Sequence, residues 1–283
     1  MAQSAGSPDT RPTDLEITSG TVERDGETIY WELTRSGADD ARPVVVLSHG
    51  AGGTHAIWYQ QVPALGAHFR VLTWDSRGFG NSTNRNDAPS AEAAAADLAA
   101  VLDSLEVEQV HLVGQSMGGW HSTAFAVANP ARVLSLTLAD TVGGLWTDEL
   151  RGAFREFSKR GGLVGEGPEL IGGHRALWPG TAKRDPAHAF LYQALGSFHS
   201  PPMDKLNTTI QWSASHVDIA ALGIPVLFVA GSYDEIFPPA LLESSSRLIS
   251  GALYVEIPAA GHSPYFEQPE AWNDTVTTFL TGI

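Results

Sequence analysis

Short, unbroken apolar runs recur along this chain with helical stretches between them. Val44 to Leu47 and Pro225 to Ala230 lack the in–out alternation of a half-solvated strand, and strand-like Val110 to Val113 and Val133 to Ala139 lie between them. Such runs suit strands buried on both faces. Helical segments follow at Ala91 to Leu105, opened by Ser90 as N-cap, at Met117 to Asn129, stopped by Pro130, and at Ala240 to Ile249. Strand-like Phe69 to Trp74 and Leu253 to Ile257 join the series, and a last helix is expected over Pro269 to Leu280. The alternation predicts a mostly parallel sheet with helices on both faces, an α/β class fold. Asp25-Gly26 sits between strand-like residues and predicts a hairpin over Thr21 to Thr34.

The segment 141–222 breaks the pattern. It is rich in aromatics and contains Gly161-Gly162, Gly172-Gly173 and Pro201-Pro202, with helical patches at Thr147 to Arg160, Asp185 to Gly196 and Met203 to Ala214. The expected organisation is a core of residues 13–140 and 223–283 with a helical cap, 141–222, inserted between two sheet strands. Residues 1–12 are small and polar, without the apolar run of a secretory signal. They read as a disordered leader, and a cytoplasmic location is expected.

Composition removes whole classes of chemistry. The chain of 283 residues has no cysteine, which excludes disulfides, thiolate metal sites and a thiol nucleophile. Lys and Arg number 17 against 32 Asp and Glu, a formal charge of -15 that repels nucleic acid and anionic membranes. No window is long and apolar enough to span a bilayer.

Gly114-Gln115-Ser116-Met117-Gly118 follows one predicted strand and precedes a helix. The glycines permit a sharp turn that pushes Ser116 out at the carboxyl edge of the sheet, where its hydroxyl can act as a nucleophile. A serine needs a base, and the base an orienting acid. His262, in Gly261-His262-Ser263 just after Leu253 to Ile257, falls in a loop at the same edge; His121, on the helix after Ser116, is a weaker rival. Asp234 and Asp140 each follow a strand. Asp234 is preferred as the acid because it precedes His262 in the expected order, and Asp140 stands as the alternative. Oxyanion donors are expected at the N–H groups of Met117, at a helix N-terminus, and of Ala51, with Gly52 as fallback.

Four motifs occur in order: Ser48-His49-Gly50-Ala51-Gly52-Gly53, Asp75-Ser76-Arg77-Gly78-Phe79-Gly80-Asn81-Ser82, Gly114 to Gly119, and Gly261-His262. Together they resemble the α/β-hydrolase superfamily, in its esterase, lactonase and C–C hydrolase branch. The resemblance implies an eight-stranded sheet with a helical cap, and it places nucleophile, acid and base on Ser116, Asp234 and His262 and the oxyanion donors on Ala51 and Met117. It gives Asp75 and Arg77 a structural role. It implies a serine hydrolase of small carboxylic esters or lactones that needs neither metal nor organic cofactor, acting on a small, apolar carbonyl substrate. Three features narrow the branch. Ser116 replaces the Asp of dehalogenases and epoxide hydrolases. Ser263 stands where C–C hydrolases often carry Trp, and the Ser48 to Gly53 loop lacks their Ser-Gly-x-Gly look. C–C hydrolysis, cofactor-free peroxide chemistry and a receptor or partner-docking role on the same fold remain alternatives.

Overall fold

The computed structural model of the protein describes residues 14–37, 40–87, 89–159, 174–197, 201 and 203–283. Residues 1–12, expected as a disordered leader, and Arg160 at the end of the first cap patch lie outside the described residues.

Eight strands form one sheet in the order β1-β2-β4-β3-β5-β6-β7-β8. They are β1 (Glu16–Arg24), β2 (Glu27–Arg35), β3 (Val44–Ser48), β4 (Arg70–Trp74), β5 (Val110–Gln115), β6 (Val133–Ala139), β7 (Val226–Gly231) and β8 (Leu253–Ile257). The hairpin β1–β2 is antiparallel, and β2 meets β4 antiparallel; from β4 through to β8 every pairing is parallel. Asp25 and Gly26 turn the hairpin with φ of 52° and 76°, the two left-handed residues that a twisted two-residue turn requires.

The buried runs divide residue by residue between two cores. Val44 and Val46 of β3 face Leu98, Val101 and Leu102 of α2 (Ala91–Ser104) and Trp120 and Phe125 of α3 (Met117–Ala128). Val45 and Leu47 face the opposite layer, with Leu65 of α1 (Gln61–Leu65) and Trp272, Val276 and Leu280 of α11 (Pro269–Thr281). Period-two alternation that is apolar on both sides therefore produces the uninterrupted run. Trp272 is fully buried against Trp58 and Tyr265. Trp272→Ala is expected to lower unfolding free energy by about 3–5 kcal/mol in denaturant titration, because the site cannot collapse around so large a void.

Between β6 and β7 the described elements are helical: α4 (Asp148–Phe157), α5 (Pro179–Arg184), α6 (Pro186–Leu195), a 3₁₀ turn at Met203–Leu206, α7 (Asn207–Gln211) and α8 (His216–Ala221). These make the cap. Helix α9 (Pro239–Ser246) and the short α10 (Pro264–Glu267) complete the fold. The chain runs from β3 to β4 on one side and then returns to lay β5 on the other side of β3. Ligand crevices form at such a reversal, beyond the carboxyl ends of the strands.

The Asp75 to Ser82 motif is a buried turn that braces this edge. Asp75 accepts from His55 N at 2.7 Å and Asn81 N at 2.9 Å. Arg77 grips Asp97 of α2 with two bonds of 2.6 and 2.8 Å, and Arg24 adds a third at 3.0 Å. Asp97 is fully buried. Asp97→Ala would strip Arg77 of both its short hydrogen bonds and leave its charge in the interior with only the 3.6 Å contact to Asp25. The expected loss is about 3–5 kcal/mol by calorimetry or denaturant titration, with the folded fraction keeping its activity.

Candidate active site

Three strand ends and the turns after them build the centre of the site. Register pairs Ser48 at the end of β3 with Gly114 of β5, so the loop after β3 lies against the turn after β5. Ser116 occupies that turn with φ 49° and ψ −120°, a conformation that costs a non-glycine residue about 1–3 kcal/mol. The bend is held by its backbone: Ser116 N–H donates to Ala139 O at 2.9 Å, and Gly119 N–H to Ser116 O at 2.9 Å. A Cβ on Gly114 would lie 2.5 Å from Gly118 O, and one on Gly118 would lie 2.1 Å from Ser48 O. Glycine is therefore required at both positions by close backbone approach.

His262 lies in the loop between β8 and α10. Its Nδ1 is 2.8 Å from Asp234 Oδ2, and its Nε2 is 2.8 Å from Ser116 Oγ. The carboxylate accepts the Nδ1 proton, so Nε2 is left to accept from the Ser116 hydroxyl. The other Asp234 oxygen accepts from Ile236 N at 2.7 Å and Phe237 N at 2.9 Å. The Phe237 ring stacks beside the imidazole, 5.9 Å between centroids.

Asp140 ends β6, directly beside this row. Its Oδ1 accepts from Gly231 N at 2.8 Å, and it does not contact Ser116 or replace Asp234 at Nδ1. Burial and the neighbouring Asp234 charge push its carboxyl well above the usual range. His121 is buried elsewhere, its Nδ1 3.4 Å from Ser76 Oγ, and desolvation lowers it to about 3. It is a neutral packing residue.

Ala51 and Gly52 lie in the loop after β3. This loop is fastened by His49, whose Nδ1–H donates to Gly50 O at 2.8 Å while its Nε2 accepts from Ser76 N at 3.1 Å. Full burial lowers His49 below the usual histidine value, as both hydrogen bonds of the neutral ring require. The N–H of Met117, first residue of α3, has no acceptor within its own helix by geometry.

Three contributors carry no sequence signature. Gln115 Nε2 donates to His262 O at 2.9 Å and so ties the Ser116 turn to the His262 loop. Glu267 of α10 receives Gly261 N at 2.5 Å, Trp178 N at 2.6 Å and Thr181 Oγ1 at 2.6 Å, joining that loop to the cap; burial raises its carboxyl to about 7. Tyr192 of α6 shares a 2.8 Å hydrogen bond with Ser263, and desolvation raises its phenol to about 12. The contacts of Glu267 and Tyr192 depend on how the cap docks, which no local spacing encodes.

The fold, the turn and the order of these loops together define the class. The family described as the alpha/beta hydrolase fold matches residues 43–163 and 175–269, and the chain belongs to that family. Among its relatives, 3-oxoadipate enol-lactonase 1 of Acinetobacter baylyi is 28% identical over 265 residues, which is 92% of this chain and 96% of that protein. The pimeloyl-(acyl-carrier protein) methyl ester esterase of Aeromonas hydrophila is 27% identical over 84% of this chain and 95% of its own length. A solved thermophilic esterase from Thermogutta terrifontis, 29% identical, superposes with a TM-score of 0.73 over 94% of this chain and 98% of that one.

Proposed function

We propose that the protein hydrolyses a small carboxylic ester or lactone through an acyl-enzyme formed on Ser116. The observation that carries this reading is the unbroken row Ser116 Oγ, His262, Asp234, with 2.8 Å at each step. His262 Nε2 takes the hydroxyl proton as Oγ attacks the substrate carbonyl. Asp234 holds the imidazole tautomer and balances the imidazolium. The N–H groups of Met117 and Ala51 receive the developing oxyanion; a donor of this kind is worth about 2.7–4 kcal/mol in a related chemistry. His262 then gives its proton to the leaving oxygen, and water repeats the cycle on the acyl group. No step calls for a metal or cofactor.

A cavity of about 160 Å³ adjoins the loop carrying Ala51, with Gln115, His174, Tyr192 and Tyr265 in its wall. A cavity of about 150 Å³ accepts one benzene. A compact acyl or ring portion fits such a space. The wall mixes apolar faces with neutral donors and acceptors, and its described residues include neither Lys nor Arg. These features favour a neutral substrate with a polar substituent over an anionic one. The names of the enol-lactonase and esterase relatives support ester and lactone bonds as the target.

The test is a fluorophosphonate probe followed by peptide mapping, then a rate panel of neutral short-chain esters, lactones and thioesters. Label on Ser116 with turnover on short esters or lactones is the expected result. A label elsewhere, or turnover confined to C–C substrates, overturns the proposal.

A further inference from the structure

Beside the Ser116 row lies a buried carboxyl that the row does not use. Strands β6 and β7 run parallel with Ala139 beside Val229, and this register sets Asp140, just past β6, next to the turn that carries Asp234. One oxygen from each carboxyl and a nitrogen of His262 lie within 4.8 Å of one another. Asp140 is fully buried, and its Oδ2 has no hydrogen-bond partner among the described residues.

The two carboxyls are unequally provided for. Asp234 receives two backbone N–H groups on Oδ1 and the imidazole N–H on Oδ2. Asp140 receives Gly231 N–H alone. The other charged groups that face Asp140 are Asp234 and Glu267, both acidic, and the phenols Tyr192, Tyr254 and Tyr265 also feel its charge. Two adjoining carboxylates in a dry site do not both ionise, and the proton settles on the one with fewer donors. That carboxyl is Asp140, and a proton on Oδ2 turns an orphaned acceptor into a donor facing the Asp234 carboxylate.

We propose that Asp140 works as a neutral carboxylic acid whose Oδ2–H donates to Asp234, making it a positioning residue that sets how tightly Asp234 holds the His262 imidazolium. The proposal rests on the assignment of Ser116, His262 and Asp234 as the reacting row. Without that donor, more of the Asp234 charge would fall on the imidazolium and hold it more tightly. A donor on that carboxylate draws off charge and leaves His262 free to accept the serine proton. Asp140 keeps its own proton throughout the cycle.

The experiment is the rate of Ser116 labelling by a fluorophosphonate as a function of pH, which requires no knowledge of the substrate. Asp140→Leu removes the donor and leaves no room for a replacing water. Its acid limb is expected to move up by about one pH unit, the scale of one charge-assisted hydrogen bond. Asp140→Asn keeps an N–H donor toward Asp234 and is expected to keep the limb at the wild-type pH. Infrared difference spectra of wild type against Asp140→Asn at neutral pH should contain the carbonyl band of a protonated carboxyl in the wild type only. An unmoved limb in Asp140→Leu, an equal shift in both variants, or absence of the band overturns the proposal. If Asp140→Leu does not fold, Asp140→Asn and the infrared band decide it. Wild type that fails to label at Ser116 overturns the reacting row instead, a result separate from labelling without a limb shift.

Discussion

Ser116→Ala is expected to lower kcat on p-nitrophenyl esters by about a millionfold, with the fold intact. The magnitude follows from the way a hydrogen-bonded row acts as one unit: without the hydroxyl, His262 has nothing to deprotonate and Asp234 nothing to orient. The residual rate belongs to the oxyanion donors and to substrate binding alone. Circular dichroism should be unchanged, because the strained turn is held by backbone bonds to Ala139 O and from Gly119 N. KM should change little, as Oγ contributes to the transition state and not to ground-state binding. A near wild-type rate would remove Ser116 from the mechanism.

Asp234→Asn carries the next largest effect, a loss of about ten-thousandfold in kcat. The amide can offer an N–H where the carboxylate accepted one. His262 then presents the wrong nitrogen to Ser116, and no charge balances the imidazolium. Asp140→Asn should cost far less, because its oxygen still meets Gly231 N while its amide meets Asp234. Measuring the two variants side by side separates the two carboxyls. A larger loss for Asp140→Asn would give Asp140 the orienting role.

Some of this architecture is readable before any coordinates. The run Val44 to Leu47 announces a strand buried on both faces because neither side carries a polar residue, and Val133 to Ala139 has the bounds expected for its strand. The Ser90 cap on α2 is equally plain: its side chain accepts from Ala93 N at 3.0 Å. The turn at Ser116 is legible because two glycines flank a residue between a strand and a helix. Helices α1, α5, α8 and α10 escape sequence reading, since four to six residues give too little periodicity for an amphipathic signature. The pairing of Asp140 with Asp234 is hidden for another reason. It depends on the register of β6 against β7, strands separated in sequence by the entire cap.

That separation has a consequence for how such a protein can change. Ser116, Asp234 and His262 each lie just beyond a strand of the doubly covered sheet, whereas the insertion after β6 supplies His174, Tyr192, Gln193 and Gly196 to the wall of the cavity. The two halves of the design can be edited independently, provided Glu267 still finds its partners at Trp178 and Thr181. A graft of a foreign insertion between β6 and β7 should redirect substrate choice while leaving the reaction itself in place.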